Sequence, residues 1–207
     1  MTGPSSSHTA GACRLANVAR RIAGGDVAAL SFTLYGSFAK TGPGHGTDKA
    51  LIAGALGMQP DDPRIVNAYE IAEEMGLHVT MEYNDEPAEH PNTALIRITD
   101  HQGKTTEVLG CSIGGGNIRI VEINGLDLEL SGDYPTLVMQ YHDVPGVVAI
   151  VTHVLAQHHI NIAFMRVFRH GKGADAYMTI ETDQPVSEET RNLIVGLSDG
   201  ITAVYAV

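Results

Sequence analysis

The chain has 207 residues and 22.0 kDa, and its 24 Asp and Glu against 13 Lys and Arg give a formal charge of −11. That length fits one large domain or two small ones, and the acidic balance opposes a phosphate backbone, with Arg20-Arg21 as the longest basic run, so nucleic acid is not an expected partner. No apolar run reaches the ~18 to 20 residues of a membrane span, and Met1-Thr2-Gly3-Pro4 opens without the basic and apolar regions of a secretory signal, so a cytoplasmic protein without membrane contact is expected.

Taken in chain order, Ser5-Ser6-Ser7 can cap a helix with an apolar stripe at Leu15, Val18, Ala19 and Ile22, stopped by Gly24-Gly25. Residues 30–35 alternate as a strand. Residues 36–46 read as a glycine-rich loop that feeds a short helix over 47–56. Pro63 starts a helix that Gly76 stops. Strands follow at 77–83, 93–99, 104–111, 117–123 and 126–131, with Asn124-Gly125 as a hairpin turn. The turn cluster Ser131-Gly132-Asp133 marks a boundary between domains at 1–133 and 134–207. Beyond it the order is strand 136–141, helix 146–158, strands 161–168 and 174–181, helix 187–197 and strand 201–207. This is the βαββαβ succession of a ferredoxin-like unit, and the fold class is α+β with helices on a sheet in the first domain.

Four polar clusters could carry chemistry. Ser5, Ser6, Ser7, His8 and Thr9 place hydroxyls and orphan N–H groups at a helix start, where a carboxylate or phosphate is favoured; by spacing alone an ordinary serine-rich cap is the stronger reading. Glycines flank His45 so that a substrate can approach the imidazole, with Thr47 able to cap the next helix and Asp48 near enough to orient the ring. The bland alternative is a flexible loop. Glu89-His90-Pro91-Asn92-Thr93 is the third knot, and Gly114, Gly115 and Gly116 form either an anion-binding nest or a bulge. In the second domain Asp143 can cap, Pro145 fits a first turn, Gly146 leaves a helix start open to a ligand, and Asn161 enters the next strand.

Cys13 and Cys111 lie far apart in sequence and outside any ligand spacing. No disulfide framework is possible, and an iron–sulfur cluster, which needs three or four thiolates, cannot be held by this chain alone.

The ordered motifs Gly-Pro-Ser-Ser-Ser-His-Thr (3–9), Tyr-Gly-Ser (35–37), Gly-His-Gly-Thr-Asp (44–48), His-Pro-Asn-Thr (90–93) and Ser-Ile-Gly-Gly-Gly (112–116) resemble the beta chain of the bacterial iron–sulfur-dependent L-serine dehydratases. Asp143-x-Pro-Gly with Leu155-Ala156 and Ile160-Asn161-Ile162 looks like an ACT domain. The resemblance covers nearly the whole chain. It implies conversion of L-serine to pyruvate and ammonia without pyridoxal phosphate, with a [4Fe–4S] cluster held by a partner alpha chain and no metal ligand in this one. By the same resemblance His45 is the base at Cα with Asp48 nearby, and His8, Ser5, Ser6, Ser7 and Thr9 line the carboxylate end. His90 closes the site, Thr47 and the glycines 114–116 border the substrate, and Asp143, Gly146 and Asn161 border an effector. A homodimer through the ACT sheet edge is expected because open sheet edges need covering. An amino-acid-sensing protein without catalysis, and a zinc site made by His8, His45 and His90, are the competing readings.

Overall fold

A computed structural model describes residues 7–84, 86–131, 134–169 and 171–206. The backbone divides into two compact units, residues 1–131 and 132–207.

In the first unit a π-helical turn, Ser7–Gly11, runs into α1 (Ala12–Ile22), followed by β1 (Ala29–Tyr35), α2 (Gly36–His45) and α3 (Thr47–Ala55). A 3-10 turn at Pro63–Asn67 leads to α4 (Ala68–Glu74), and then come β2 (His78–Asn84), β3 (Asn92–Thr99), β4 (Thr105–Gly114), β5 (Asn117–Ile123) and β6 (Leu126–Leu130). The strands form one sheet in the order β2-β1-β3-β4-β5-β6, with only the β1–β2 pair parallel. Side chains alternate across a strand, so the register Leu34↔Ala94↔Gly110 sets one face against the helices, joined there by the buried Leu30, Phe32, Ile96 and Ile98. Gly110 faces Leu15 of α1, whose methyl a Cβ at that position would strike. The register of the other face is Tyr35↔Thr93↔Cys111↔Arg119.

The second unit contains β7 (Thr136–His142), α5 (Val147–Gln157), β8 (Ile162–Arg169), β9 (Asp175–Thr182), α6 (Glu188–Gly196) and β10 (Ile201–Ala206). The antiparallel sheet runs β10-β7-β9-β8, the ferredoxin-like arrangement the pattern predicts. Leu137, Met139, Tyr141, Val151, Leu155, Met178, Ile180 and Ile194 make its core.

The structure departs from the sequence reading at several termini. Residues 36–45 are helical, not a loop: Phe38 is fully buried, and the Thr41 hydroxyl donates to Ser37 O one turn back. Tertiary packing overrides the glycines, and the breaking signal takes effect only at Gly46, whose φ of 71° ends α2 and opens α3. Thr47 therefore makes no side-chain cap. Gly11 precedes α1 without a side-chain cap, and Ser5 and Ser6, which would belong to the serine-rich cap, lie outside the described residues. Asp143 does not cap α5, because Gly146 takes that place and Asp143 accepts from Arg169 at 3.0 Å. The helix that Pro63 starts is split, with a 3-10 turn capped by Asp62 ahead of α4.

Helices α1 and α3 approach each other closely. A Cβ on Gly54 would run into the Cys13 carbonyl oxygen, so only glycine permits that approach. Gly54→Ala is expected to lower unfolding free energy by about 3 kcal/mol, at the upper end of ordinary overpacking. Gly44→Ala, whose added carbon meets nothing, should stay within about 0.5 kcal/mol. Urea unfolding followed by circular dichroism makes the comparison.

Candidate functional site

The Ser7–Gly11 turn packs among α2, α3, β4 and β5, and this packing brings together motifs far apart in sequence. His8 is buried, its ring edge against Phe38 at 5.3 Å between centroids, and its ring centroid lies 5.2 Å from that of His45. Gly116, in the turn of the β4–β5 hairpin, sits against Ala10. Gly114, Gly115 and Gly116 have φ of 98°, 64° and 82°, so the run makes a tight hairpin turn of the kind glycine allows, and the β4–β5 register shifts between Ser112 and Gly114 as at a bulge.

Hydrogen bonding fixes the proton positions of both rings. A carbonyl oxygen can only accept, so the 2.9 Å contact from His45 Nδ1 to Thr41 O puts a proton on Nδ1, and in the neutral form of this exposed ring the lone pair is on Nε2. Thr41 gives its one hydroxyl hydrogen to Ser37 O at 2.8 Å, so toward His8 Nε2, at 3.1 Å, it accepts. His8 thus carries its proton on Nε2, with Ser37 Oγ 3.2 Å away, and its Nδ1 accepts from Ser7 Oγ at 3.2 Å. Burial, and secondarily the neighbouring His45, hold the His8 pKa below the ordinary histidine value, against a smaller opposing hydrogen bond to the Ser37 backbone. The arrangement is a neutral, buried donor ring beside an exposed ring with a free acceptor, suited to taking a proton from a bound molecule.

The remaining residues are placed less centrally. Asp48 does not orient His45: its Oδ2 accepts from Tyr69 at 3.2 Å, and its buried Oδ1 has no hydrogen-bond partner among the described residues. Burial and the Asp48 charge raise the Tyr69 pKa, and the same two causes raise that of Tyr83. Thr47 is fully buried against Gly42, its hydroxyl likewise without a partner among the described residues. Thr9 stands next to His8 on the same turn. His90 accepts on Nδ1 from the Asn92 backbone N–H at 3.2 Å, its carbonyl accepts from the Thr93 hydroxyl at 2.7 Å, and Asn92 Nδ2 donates to Ser112 O at 3.3 Å. His90 lines a cleft on the sheet face away from the helices, together with Arg119 and Cys111. In the second unit Gly146, at φ 99°, leaves the start of α5 open, while Asn161 is engaged with Asp183 at 2.8 Å.

Ser37 and Thr41 are the residues a reading of single motifs misses. Their spacing of four from each other and of four to His45 is a helical signal hidden by Gly42-Pro43-Gly44.

Neither a zinc ion nor a cluster fits these residues. Among the described residues no group of three or more His, Cys, Asp or Glu could hold a metal, so His8, His45 and His90 do not form a zinc site. Cys13 and Cys111 are both buried, and the Cys13 thiol donates to Met58 O at 3.4 Å. Burial, reinforced by Asp62 and Asp61, pushes its pKa up to about 12, the reverse of what thiolate ligation requires.

A helix-covered six-stranded sheet carrying a histidine pair, continued in one chain by a ferredoxin-like unit, defines a two-unit α+β protein with a polar, histidine-bearing candidate site in its first unit. Residues 1–122 match the family described as serine dehydratase beta chain, and residues 136–198 match the ACT domain. The chain is similar to the L-serine dehydratase beta chain of Peptoniphilus asaccharolyticus, 40% identical over 206 residues that cover 99% of this chain and 93% of that one. It is 46% identical over 188 residues to a probable L-serine dehydratase beta chain of Bacillus subtilis, covering 91% and 85%. An L-serine dehydratase of Streptomyces coelicolor is 33% identical over 153 residues, which are 60% of this chain and 33% of that protein. The chain belongs to the serine dehydratase beta-chain family.

Replacing His45 by Gln removes the weaker of the two influences on His8, so the His8 pKa should rise and still remain below about 6.5, the free value. Because the folded state favours neutral His8, the stability linked to it is full above that free value and is lost as pH falls through the folded one. Imidazole-resolved NMR titration of both proteins reads the shift, and urea unfolding across the same pH range reads the sign.

Proposed function

We propose that this chain is the beta subunit of an L-serine dehydratase, acting with an alpha chain to convert L-serine to pyruvate and ammonia. The observation that carries the reading is the histidine pair, in which His45 presents a bare Nε2 beside a neutral His8. In the proposed reaction His45 Nε2 takes the proton from Cα of L-serine, and the β-hydroxyl departs with its bonding pair. The resulting enamine tautomerises to an imine, which water hydrolyses to pyruvate and ammonia. His8 stays neutral, so the approaching base meets no second positive charge. Ser7 and Thr9, with Ser5 and Ser6, receive the substrate carboxylate and the glycines 114–116 border it; Thr47 packs behind them in the interior, and His90, on the sheet face away from the helices, acts only through the Pro91 segment that seats α2.

Asp48 acts through Tyr69, setting the charge near the start of α3 rather than touching His45. An acid or metal at the β-oxygen is still required, and in this reading it comes from the alpha chain, which carries the [4Fe–4S] cluster; pyridoxal phosphate has no part. The reading places the protein in the cytoplasm; no helix among the described residues is long and apolar enough to cross a membrane.

The functional division we propose is a substrate domain at 1–133 and an ACT domain at 134–207, with Asp143, Gly146 and Asn161 bordering an effector. Copies of the chain pair through the ACT sheet. Its terminal strand β8 exposes Phe164 and Val167, a hydrophobic edge of the kind that proteins cover.

Two experiments test the proposal. Mixed anaerobically with the alpha chain, the protein should yield pyruvate from L-serine. His45→Gln should lower kcat by about 10³-fold, within the range of lost general-base catalysis, and full turnover in that variant would remove His45 from the role. Replacing both Phe164 and Val167 by Glu should halve the mass seen by light scattering while leaving circular dichroism unchanged.

A further inference from the structure

On the sheet face turned away from the helices, register places Tyr35, Thr93, Cys111 and Arg119 in one row across four strands. They floor a cleft of about 660 Å³, a size ordinary for small-molecule sites. Arg119 Nε is buried there and has no hydrogen-bond partner among the described residues. A buried guanidinium donor left unpaired is costly, because its desolvation is not repaid, and a carboxylate is the partner that matches its planar fork. Tyr35 adds a hydroxyl, whereas that of Thr93 gives its hydrogen to His90 O. His90, with Nδ1 occupied by the Asn92 N–H, keeps Nε2–H as a further donor when neutral.

The rest of the lining is of the opposite sign. Glu89, Glu122, Asp127 and Glu129 border the same cleft, and Glu122 faces Asp127 directly across β5 and β6. Four carboxylates around one guanidinium repel a purely anionic guest such as phosphate or a dicarboxylate. They favour a guest that carries its own positive charge a few ångströms from its carboxylate. Leu109 and Val121 supply an apolar wall between the two poles.

We propose that this cleft is a binding site for a zwitterionic α-amino acid, its carboxylate on Arg119 and its ammonium toward Glu122 and Asp127, with the side chain along Leu109 and Val121. The site differs from the His8–His45 pair, which sits among the helices, and lies entirely within the first unit. It stands on the cleft alone and does not depend on the dehydratase reading.

L-leucine and L-alanine probe it cleanly, since neither has a β-hydroxyl to lose and so neither is consumed by the reaction proposed above. Titration calorimetry on the full chain should show binding that weakens at least tenfold in Arg119→Met. Pentanoate, which lacks the ammonium, and pentylamine, which lacks the carboxylate, should bind at least tenfold more weakly than L-leucine. Glu122→Gln combined with Asp127→Asn should weaken L-leucine and not pentanoate, a charge signature that loss of fold would not produce. If Arg119→Met does not fold, Arg119→Lys, which keeps the charge and loses the fork, serves in its place together with the double acid variant. Unchanged binding in the Arg119 variants would put the amino acid elsewhere and overturn the proposal. Absence of binding by both amino acids at millimolar concentration would do the same, as would hydrogen-exchange protection of β5 that appears only on adding the alpha chain.

Discussion

The histidine pair depends on one backbone contact, the seating of Pro91 on the junction between β1 and α2. Pro91 O accepts from the Ser37 N–H, and Gly36 turns the chain at φ 56° where a Cβ would run into that same carbonyl. A bridge between Gly36 and Asn92 continues the pairing of β1 with β3 into the first turn of the helix. The start of α2 is therefore hydrogen-bonded to the sheet by the segment that carries His90. Because α2 starts at that point, Ser37 and Thr41 rise on one face, Thr41 O meets His45 and the two hydroxyls meet His8. A side chain at Gly36 would displace the helix start and with it both rings.

The division of polarity across the six-stranded sheet follows from the same register. One face carries Leu34, Ala94 and Gly110 beneath helices, and the opposite face carries Tyr35, Thr93, Cys111 and Arg119 around a cleft. Proton-handling groups thus gather on the helical side, and the paired charges of opposite sign gather on the other. A slip of one residue in any of these strands would exchange the two sets.

Most of the fold is legible in the sequence because it is carried by periodicity. Alternation in residues 30–35 and 93–99 and the Asn124-Gly125 turn specify their strands locally, even though β1 pairs with β2 and β3 far along the chain. The ACT unit is legible throughout for the same reason, each of its six elements falling within a residue or two of its pattern. Residues 36–45 are not, since Gly42-Pro43-Gly44 signals a break and what makes the segment helical is the burial of Phe38, which depends on distant strands. The candidate site divides in the same way. His8 and His45 stand out as residue types in glycine- and serine-rich settings. Their mutual placement, the displacement of Asp48 toward Tyr69, and the burial of Arg119 Nε without a partner among the described residues depend on contacts across 21 to 37 positions or on sheet register, and no local pattern encodes them.

The contact of Gly54 with Cys13 has a consequence for how the site meets a partner. α1 follows the turn that bears His8, α3 begins two residues after His45, and the two helices touch backbone to backbone at the glycine. The spacing of the imidazoles is thus borrowed from the interior, where packing is as dense as a crystal, although one ring lies at the surface. A reaction centre assembled from two chains must otherwise order its groups at each encounter and lose affinity to that ordering. In the proposed two-chain centre that entropy would be spent when this chain folds, leaving the histidine pair already in register for the alpha chain.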